Sequence, residues 1–182
     1  MSKYTPEQIP ADVIACIDYA KNVQEMSKKI DMSIEKLRNH LNFLEKKNYI
    51  KKDKDWFSVN WSVVSTSFHK SLENYIRAFA LDKYSSKKIR SEGESIIKEL
   101  PKIFNEKRVS NIFKMYKKYS VYSWLNKRSI EDLAYLYMDS LKRLNTNSIK
   151  NFDRKIIKIK KFLDKIESFN IGEMMVVDAE ES

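Results

Sequence analysis

Apolar residues recur every three or four positions along most of the chain, which is the period of an amphipathic α-helix. The exception is the stretch 49–60, where β-type residues stand on both sides of the polar tripeptide Asp53-Lys54-Asp55 and predict a short hairpin. The pattern therefore predicts a mainly helical protein with one small two-stranded hairpin. Its clearest helical stripes are Val13, Ile14 and Ile17; Met26 and Ile30; Ile34, Leu37, Leu41 and Leu44; Val64, Phe68, Leu72, Tyr75 and Phe79; Ile89, Ile96, Ile97 and Leu100, ending at Pro101; and Val109, Ile112 and Phe113.

A further apolar stripe, over residues 149–166, differs from these because its apolar positions are separated alternately by three and four residues. Such a repeat is the seam of a coiled coil, but it extends over fewer than three full heptads. A helix that faces the core of a bundle explains the repeat as well, so both interpretations stay open. The stripe consists of Ile149, Phe152, Ile156, Ile159, Leu163 and Ile166.

Composition excludes several classes of enzyme. The 182 residues include two glycines, one cysteine and two histidines. Phosphate-binding loops and nucleotide-binding turns need several closely spaced glycines, and zinc cages and redox pairs need more cysteines or histidines. We therefore predict neither catalysis nor a cofactor nor a bound metal.

Charge is distributed unevenly along the chain, whose formal net charge is +10. Residues 1–61 contain 11 basic and nine acidic side chains, whereas residues 62–128 contain 15 and six. A positive excess favours a polyanionic partner such as nucleic acid. The excess lies mainly in the middle of the chain, and the end, 171–182, is acidic.

One stretch arranges the predicted helices and the hairpin in the order of a known motif. A short helix, which Asn22 can cap, is followed by Asp31-Met32-Ser33, and Ser33 can cap the longer helix after it. The longer helix contains Leu37-x-x-His40-Leu41-x-x-Leu44-Glu45 and is closed by Asn48-Tyr49-Ile50 before the hairpin. This stretch resembles the winged helix-turn-helix of ArsR- and MarR-like transcription regulators over residues 1–61. Asp31 and Asn48 replace glycines of that pattern, and both residue types tolerate a left-handed backbone.

The resemblance implies that helix 33–47 enters the major groove of DNA and that the hairpin, or wing, contacts the backbone. The apolar stripe of this helix leaves a polar face opposite it, and Ser33 stands at its N-terminus, where backbone N–H groups can hold a phosphate. The expected DNA-binding residues are Ser33, Glu35, Lys36, Asn39, Asn42 and Lys46 on the helix, and Lys51, Lys52 and Lys54 on the wing.

A second basic segment interleaves cations with tyrosines and a tryptophan. It could bind phosphates or stack on unpaired bases, although a solvated face of a helical bundle is the simpler interpretation. Its cations are Lys87, Lys88, Arg90, Lys114, Lys117, Lys118, Lys127 and Arg128.

We therefore predict a mainly α fold with a winged helix-turn-helix domain at 1–61, an all-helical region at 62–170 and an acidic tail at 171–182. The expected function is sequence-specific regulation of transcription on double-stranded DNA. The helices at 62–83 and 148–168 are the expected dimerising elements, which makes a homodimer the expected assembly. The alternative is a winged-helix protein-interaction, replication or partition factor that binds nucleic acid non-specifically through segment 83–128.

The longest apolar run, Leu133–Met138, is too short to cross a membrane, and the N-terminal stretch lacks the apolar segment of a signal peptide. A cytoplasmic location is therefore expected, without membrane association. Nothing in the sequence identifies a small-molecule effector.

Overall fold

The computed structural model of the protein describes residues 11–17, 22–54, 56–82, 86–119, 129–144 and 153–166. Helices dominate these ranges, and one antiparallel two-stranded sheet accompanies them, which confirms the prediction of a mainly helical fold with a small hairpin. None of the described helices has the length and apolar composition needed to cross a membrane. The elements are α1 (Ala11–Ile17), α2 (Val23–Ile30), α3 (Ile34–Lys46), β1 (Ile50–Asp53), β2 (Trp56–Val59), α4 (Trp61–Ile76) with a π-helical turn at Arg77–Leu81, α5 (Lys87–Ile103), α6 (Glu106–Tyr119), α7 (Ile130–Arg143) and α8 (154–166).

The chain forms two compact units, and each is assembled from two separate segments. Unit 1 comprises Met1–Ser71 and Phe104–Tyr135, and unit 2 comprises Leu72–Ile103 and Leu136–Ser182. These limits differ from the predicted boundary after residue 61. The physical reason is that α6 and the first part of α4 share the core of the N-terminal segment.

Aromatic packing shows how unit 1 is held together. The ring of Phe68 is fully buried, with centroid distances of 5.8 Å to Phe104 and 6.5 Å to Phe113. Trp61 meets Phe113 edge to face at 5.5 Å. Edge-to-face and tilted ring pairs add stability beyond the apolar area that they bury. The first part of α4 therefore belongs to the same core as α6.

Helix α1 lies in the centre of unit 1 and packs against α2, α3, α6 and β2. Every side chain described on this helix is buried, including Cys16, which is 2% exposed. So large an apolar surface on one helix is stable only when neighbouring elements cover it. The helix-and-hairpin region therefore needs α6 as well as its own elements.

Unit 2 differs from the sequence prediction where α4 ends. The predicted stripe continues to Phe79, but that ring is 42% exposed, whereas Ala80 and Leu81 are buried. A π-helical turn contains more residues than an α-helical turn, so it advances the buried position by about one residue. Gly93 of α5 lies against this turn, since a Cβ added there would stand 2.8 Å from Leu81 Cδ2.

The remaining helices of unit 2 use their apolar faces within the chain. Helix α5 continues through Pro101 to Ile103, so the predicted end at Pro101 is wrong by two residues, because Leu100 and Ile103 are both buried. On α8 the predicted stripe is buried, which favours a bundle helix over an open coiled-coil seam. Its buried residues are Ile156, Ile159, Leu163 and Ile166, while Ile149 and Phe152 lie outside the described residues.

Candidate nucleic-acid interface

Local hydrogen bonds define the two helices and the turn between them. The side chain of Asn22 accepts a hydrogen bond from the Glu25 amide at 2.8 Å, and that of Ser33 accepts one from the Lys36 amide at 3.2 Å. Both residues are N-caps, as the sequence predicts. Asp31 takes the left-handed conformation with φ 49° and ends α2, so only three residues separate α2 from α3.

The hairpin is attached to both neighbouring helices. Asn48 has φ 65°, which confirms the second predicted left-handed residue, and its carbonyl accepts a hydrogen bond from the Asn60 side chain at 3.0 Å. The amide of Tyr49 bonds to the carbonyl of Leu44 at the end of α3, and its hydroxyl lies 2.7 Å from Ser67 Oγ on α4. These bonds fix the base of the hairpin relative to α3 and α4.

The outward face of α3 is turned relative to the sequence prediction. Ile34 belongs to the predicted buried stripe but is 39% exposed, whereas His40, which lies outside that stripe, is buried together with Leu37, Leu41 and Leu44. At 100° per residue, exchanging Ile34 for His40 rotates the centre of the buried face by about 30°. The rotation brings Arg38 and Asn42 closer to the outward face and moves Lys36 towards its flank.

The nine expected DNA-binding residues are all exposed. Ser33 stands before the first turn of α3, and its hydroxyl is engaged in the cap. Five others project from α3 and three belong to the hairpin, whose turn is tightened by Lys54 with φ 56°. The helix residues are Glu35, Lys36, Asn39, Asn42 and Lys46, and the hairpin residues are Lys51, Lys52 and Lys54.

An open cleft of about 700 Å³ lies between the start of α2, the middle of α3 and the hairpin. Two of the nine expected residues, Asn42 and Lys52, line it. The others do not reach it, and most of its lining was not anticipated from the sequence. The additional residues are Asn22, Val23, Gln24, Arg38, Leu41, Trp56 and Phe57.

Among the large apolar side chains that the structure describes, Trp56 is the most exposed, at 61%. Along β2 exposure alternates, so Trp56 and Ser58 face solvent while Phe57 and Val59 are half-buried. This alternation is the signal by which the sequence could have identified Trp56, because a strand of period two that turns Phe57 and Val59 inward must turn Trp56 outward.

The interface carries charges of both signs. Glu35 and Glu45 share the exposed side of α3 with Lys36, Arg38 and Lys46. In the cleft, by contrast, the described lining holds two cations and three amides but no carboxylate. The Lys52 ammonium lies 5.9 Å from the centre of the Phe57 ring, within the range of a cation–π contact.

His40 is the titratable group of this region whose pKa is displaced. Burial lowers the pKa of His40 from 6.5, and the positive charge of Lys36 lowers it further. A neutral imidazole is therefore favoured beneath the outward face of α3. Its buried position makes it a packing residue of the helix.

The described cations of the second basic segment are divided between the two units. Lys87, Lys88 and Arg90 are exposed on α5 in unit 2, and the guanidinium of Arg90 donates to the carbonyl of Leu81 at 3.2 Å. Lys114 is exposed on α6 in unit 1. The side chains of Lys117 and Lys118, and the residues Lys127 and Arg128, lie outside the described part of the chain.

Comparison with protein-family models, curated proteins and solved structures found no match. Within the described ranges, no three His, Cys, Asp or Glu side chains lie together as metal ligands would. The exposed groups described at this face are amides, cations, carboxylates and the indole ring of Trp56.

Proposed function

We propose that the chain is a DNA-binding transcription regulator in which α1 to α3 and the hairpin form a winged helix-turn-helix. The observation that carries the proposal is the order of the elements: α2, a three-residue turn, α3 and then the hairpin. The polar face of α3 is exposed beside the hairpin lysines. Asp31 and Asn48 support it further, because they take the left-handed conformation where the related pattern uses glycine.

In this proposal α3 is the recognition helix. Its 13 residues span about 20 Å, and the major groove of B-DNA is wide enough to admit a helix. Asn39 or Asn42 would bind adenine through two hydrogen bonds, and Lys46 would bind guanine or a phosphate. Lys51 and Lys54 of the hairpin would contact the phosphate backbone and hold α3 in register.

We propose a homodimer as the DNA-bound assembly, because two recognition helices on one face of DNA need a twofold axis. The apolar stripes of α4 and α8, which suggested the dimer, are buried within a single chain. The twofold contact would therefore use other surfaces. Sedimentation velocity at micromolar concentration tests the assembly, and a monomer that persists with and without DNA would contradict it.

Binding is tested by fluorescence anisotropy with a pool of random duplexes, from which bound sequences are selected and sequenced. We expect binding at about 50 mM salt and enrichment of one motif. Each of Lys51→Gln and Lys54→Gln should reduce the slope of log affinity against log salt by about 0.9. Lys98→Gln, an exposed lysine of α5, is the matched control. Absence of duplex binding would refute the regulator.

The alternative function is a protein-interaction or replication module with non-specific nucleic-acid binding. This alternative is favoured by the exposed Trp56 and by the acidic residues Glu35 and Glu45 beside the outward face of α3. Charge reversal separates the two functions. Lys46→Glu should abolish binding by a regulator, whereas Lys117→Glu combined with Lys118→Glu should abolish binding through the basic segment.

A further inference from the structure

The exposure of Trp56 needs an explanation, because tryptophan is highly buried on average in folded proteins. Its indole lies beside the hairpin turn, opposite Asp53 in the register of the two strands, and it lines the cleft. Asp53 itself is not part of the cleft lining. One flat aromatic surface is therefore presented to solvent at the edge of a cationic cleft.

The polar lining suits a ligand that carries both an anionic group and hydrogen-bonding edges. Arg38 and Lys52 supply positive charge, and Gln24 and Asn42 supply amides that can donate and accept hydrogen bonds. Within the described residues, no ion pair engages Arg38 or Lys52. Both cations therefore remain available to an incoming phosphate.

A fully paired duplex offers no flat base surface on which Trp56 could stack. Stacked bases in B-DNA present only their edges in the grooves, and their flat faces are covered by neighbouring pairs. A base that has left the stack, by contrast, exposes a flat face, and stacking on an aromatic side chain is the usual way in which proteins bind unpaired bases.

We propose that the cleft binds an unpaired nucleobase together with its phosphate, with Trp56 stacked on the base and Arg38 and Lys52 on the phosphate. The proposal rests on the premise, shared with the proposed function, that nucleic acid is the ligand, and Asn42 takes part in both. It goes beyond that function because it assigns a second mode of binding, which a blunt duplex cannot supply.

The test compares a blunt duplex with the same duplex carrying a three-nucleotide single-stranded extension, both measured by fluorescence anisotropy with the full chain. We expect the extension to strengthen binding about tenfold, since one stacked base contributes a factor of this order. Trp56→Ala should remove the gain and leave binding of the blunt duplex unchanged, whereas Trp56→Phe should retain much of the gain.

Phe79→Ala is the matched control, because Phe79 is an exposed aromatic residue of unit 2 and its removal should leave the gain intact. Far-UV circular dichroism of each variant shows that it is folded. Adenosine monophosphate, added as a competitor, distinguishes the source of the base. Competition that depends on Trp56 assigns the cleft to free nucleotides as well as strands, and absence of competition restricts it to strands.

The outcomes separate this inference from the proposed function. If the blunt duplex binds and the extension adds nothing, or if Trp56→Ala retains the gain, the inference is overturned and the regulator stands. If the blunt duplex fails to bind but the extended one binds through Trp56, the regulator is refuted and the inference stands. If no oligonucleotide or nucleotide binds, the inference and the regulator are both overturned, and a protein partner becomes the expected ligand of the cleft.

Discussion

The ammonium of Lys160 offers a test of how charge is held in the interior of unit 2. It donates to the carbonyl of Lys142 at 2.9 Å and to both carboxylate oxygens of Asp164 at 3.0 Å. The two partners of the ion pair differ in environment, because the side chain of Lys160 is 6% exposed and that of Asp164 is 47% exposed. We expect the two ends of this pair to respond differently to mutation.

Lys160→Met removes the hydrogen bond to the carbonyl of Lys142, which contributes about 1 kcal/mol to stability. The same change removes the ion pair with Asp164, which is weakened because water screens the carboxylate. It also removes the desolvation penalty of a buried ammonium and keeps an apolar side chain of similar length. The net change in the free energy of unfolding should stay within about 1 kcal/mol. Asp164→Ala leaves the buried ammonium with the carbonyl alone, and a loss of about 2 kcal/mol follows after allowance for solvent screening.

Urea denaturation followed by circular dichroism measures both variants and the double variant. The double variant should resemble Lys160→Met, because Asp164 no longer has a buried charge to compensate. Lys165→Met is the control, since Lys165 pairs with Glu92 at 3.1 Å but is 43% exposed, so its loss should change stability by less than about 0.5 kcal/mol. The reasoning fails if Lys160→Met is less stable than Asp164→Ala.

Three further predictions concern unit 1. Because the folded chain lowers the pKa of His40 from 6.5, the unfolded chain binds a proton first on acidification, and stability should fall between pH 7 and pH 5. Urea titrations at several pH values should show that His40→Gln flattens this dependence. Asn48→Ala should lower the free energy of unfolding by about 1 kcal/mol, because alanine lacks the short polar side chain by which asparagine tolerates φ 65°. Asn48→Gly should leave it nearly unchanged, because glycine adopts this conformation without steric strain. Phe68→Ala should cost about 4 kcal/mol in a thermal or urea melt and Phe68→Leu about half as much, and equal effects would contradict the packing against Phe104 and Phe113.

The features that the sequence predicted well are those set by a few adjacent residues. Capping by Asn22 and Ser33 depends on a side chain and an amide three residues later. The left-handed residues Asp31 and Asn48 follow from the local need to end one element and begin the next. The hairpin likewise follows from β-type residues on both sides of a polar turn.

Features decided by distant neighbours were not predictable in the same way. Ile34 is exposed and His40 is buried because other elements cover α3. The helical period alone does not determine where the centre of the buried face of α3 lies. The π-helical turn that exposes Phe79 has no sequence signature of its own, and Gly93 of α5 lies against it. The cleft combines α2, α3 and β2, so Arg38 and Trp56 come together only through the tertiary structure.

The discontinuity of the two units has a consequence for how the protein is made. During synthesis Phe68 leaves the ribosome well before its packing partners Phe104 and Phe113. Helix α1 likewise emerges before α6, which packs against it. The nascent chain must therefore carry an incomplete core until α6 has emerged, with apolar surface that a chaperone can bind meanwhile. The same order of synthesis means that a fragment cut after the hairpin lacks both α4 and α6, so α3 and the cleft should be studied on the whole chain.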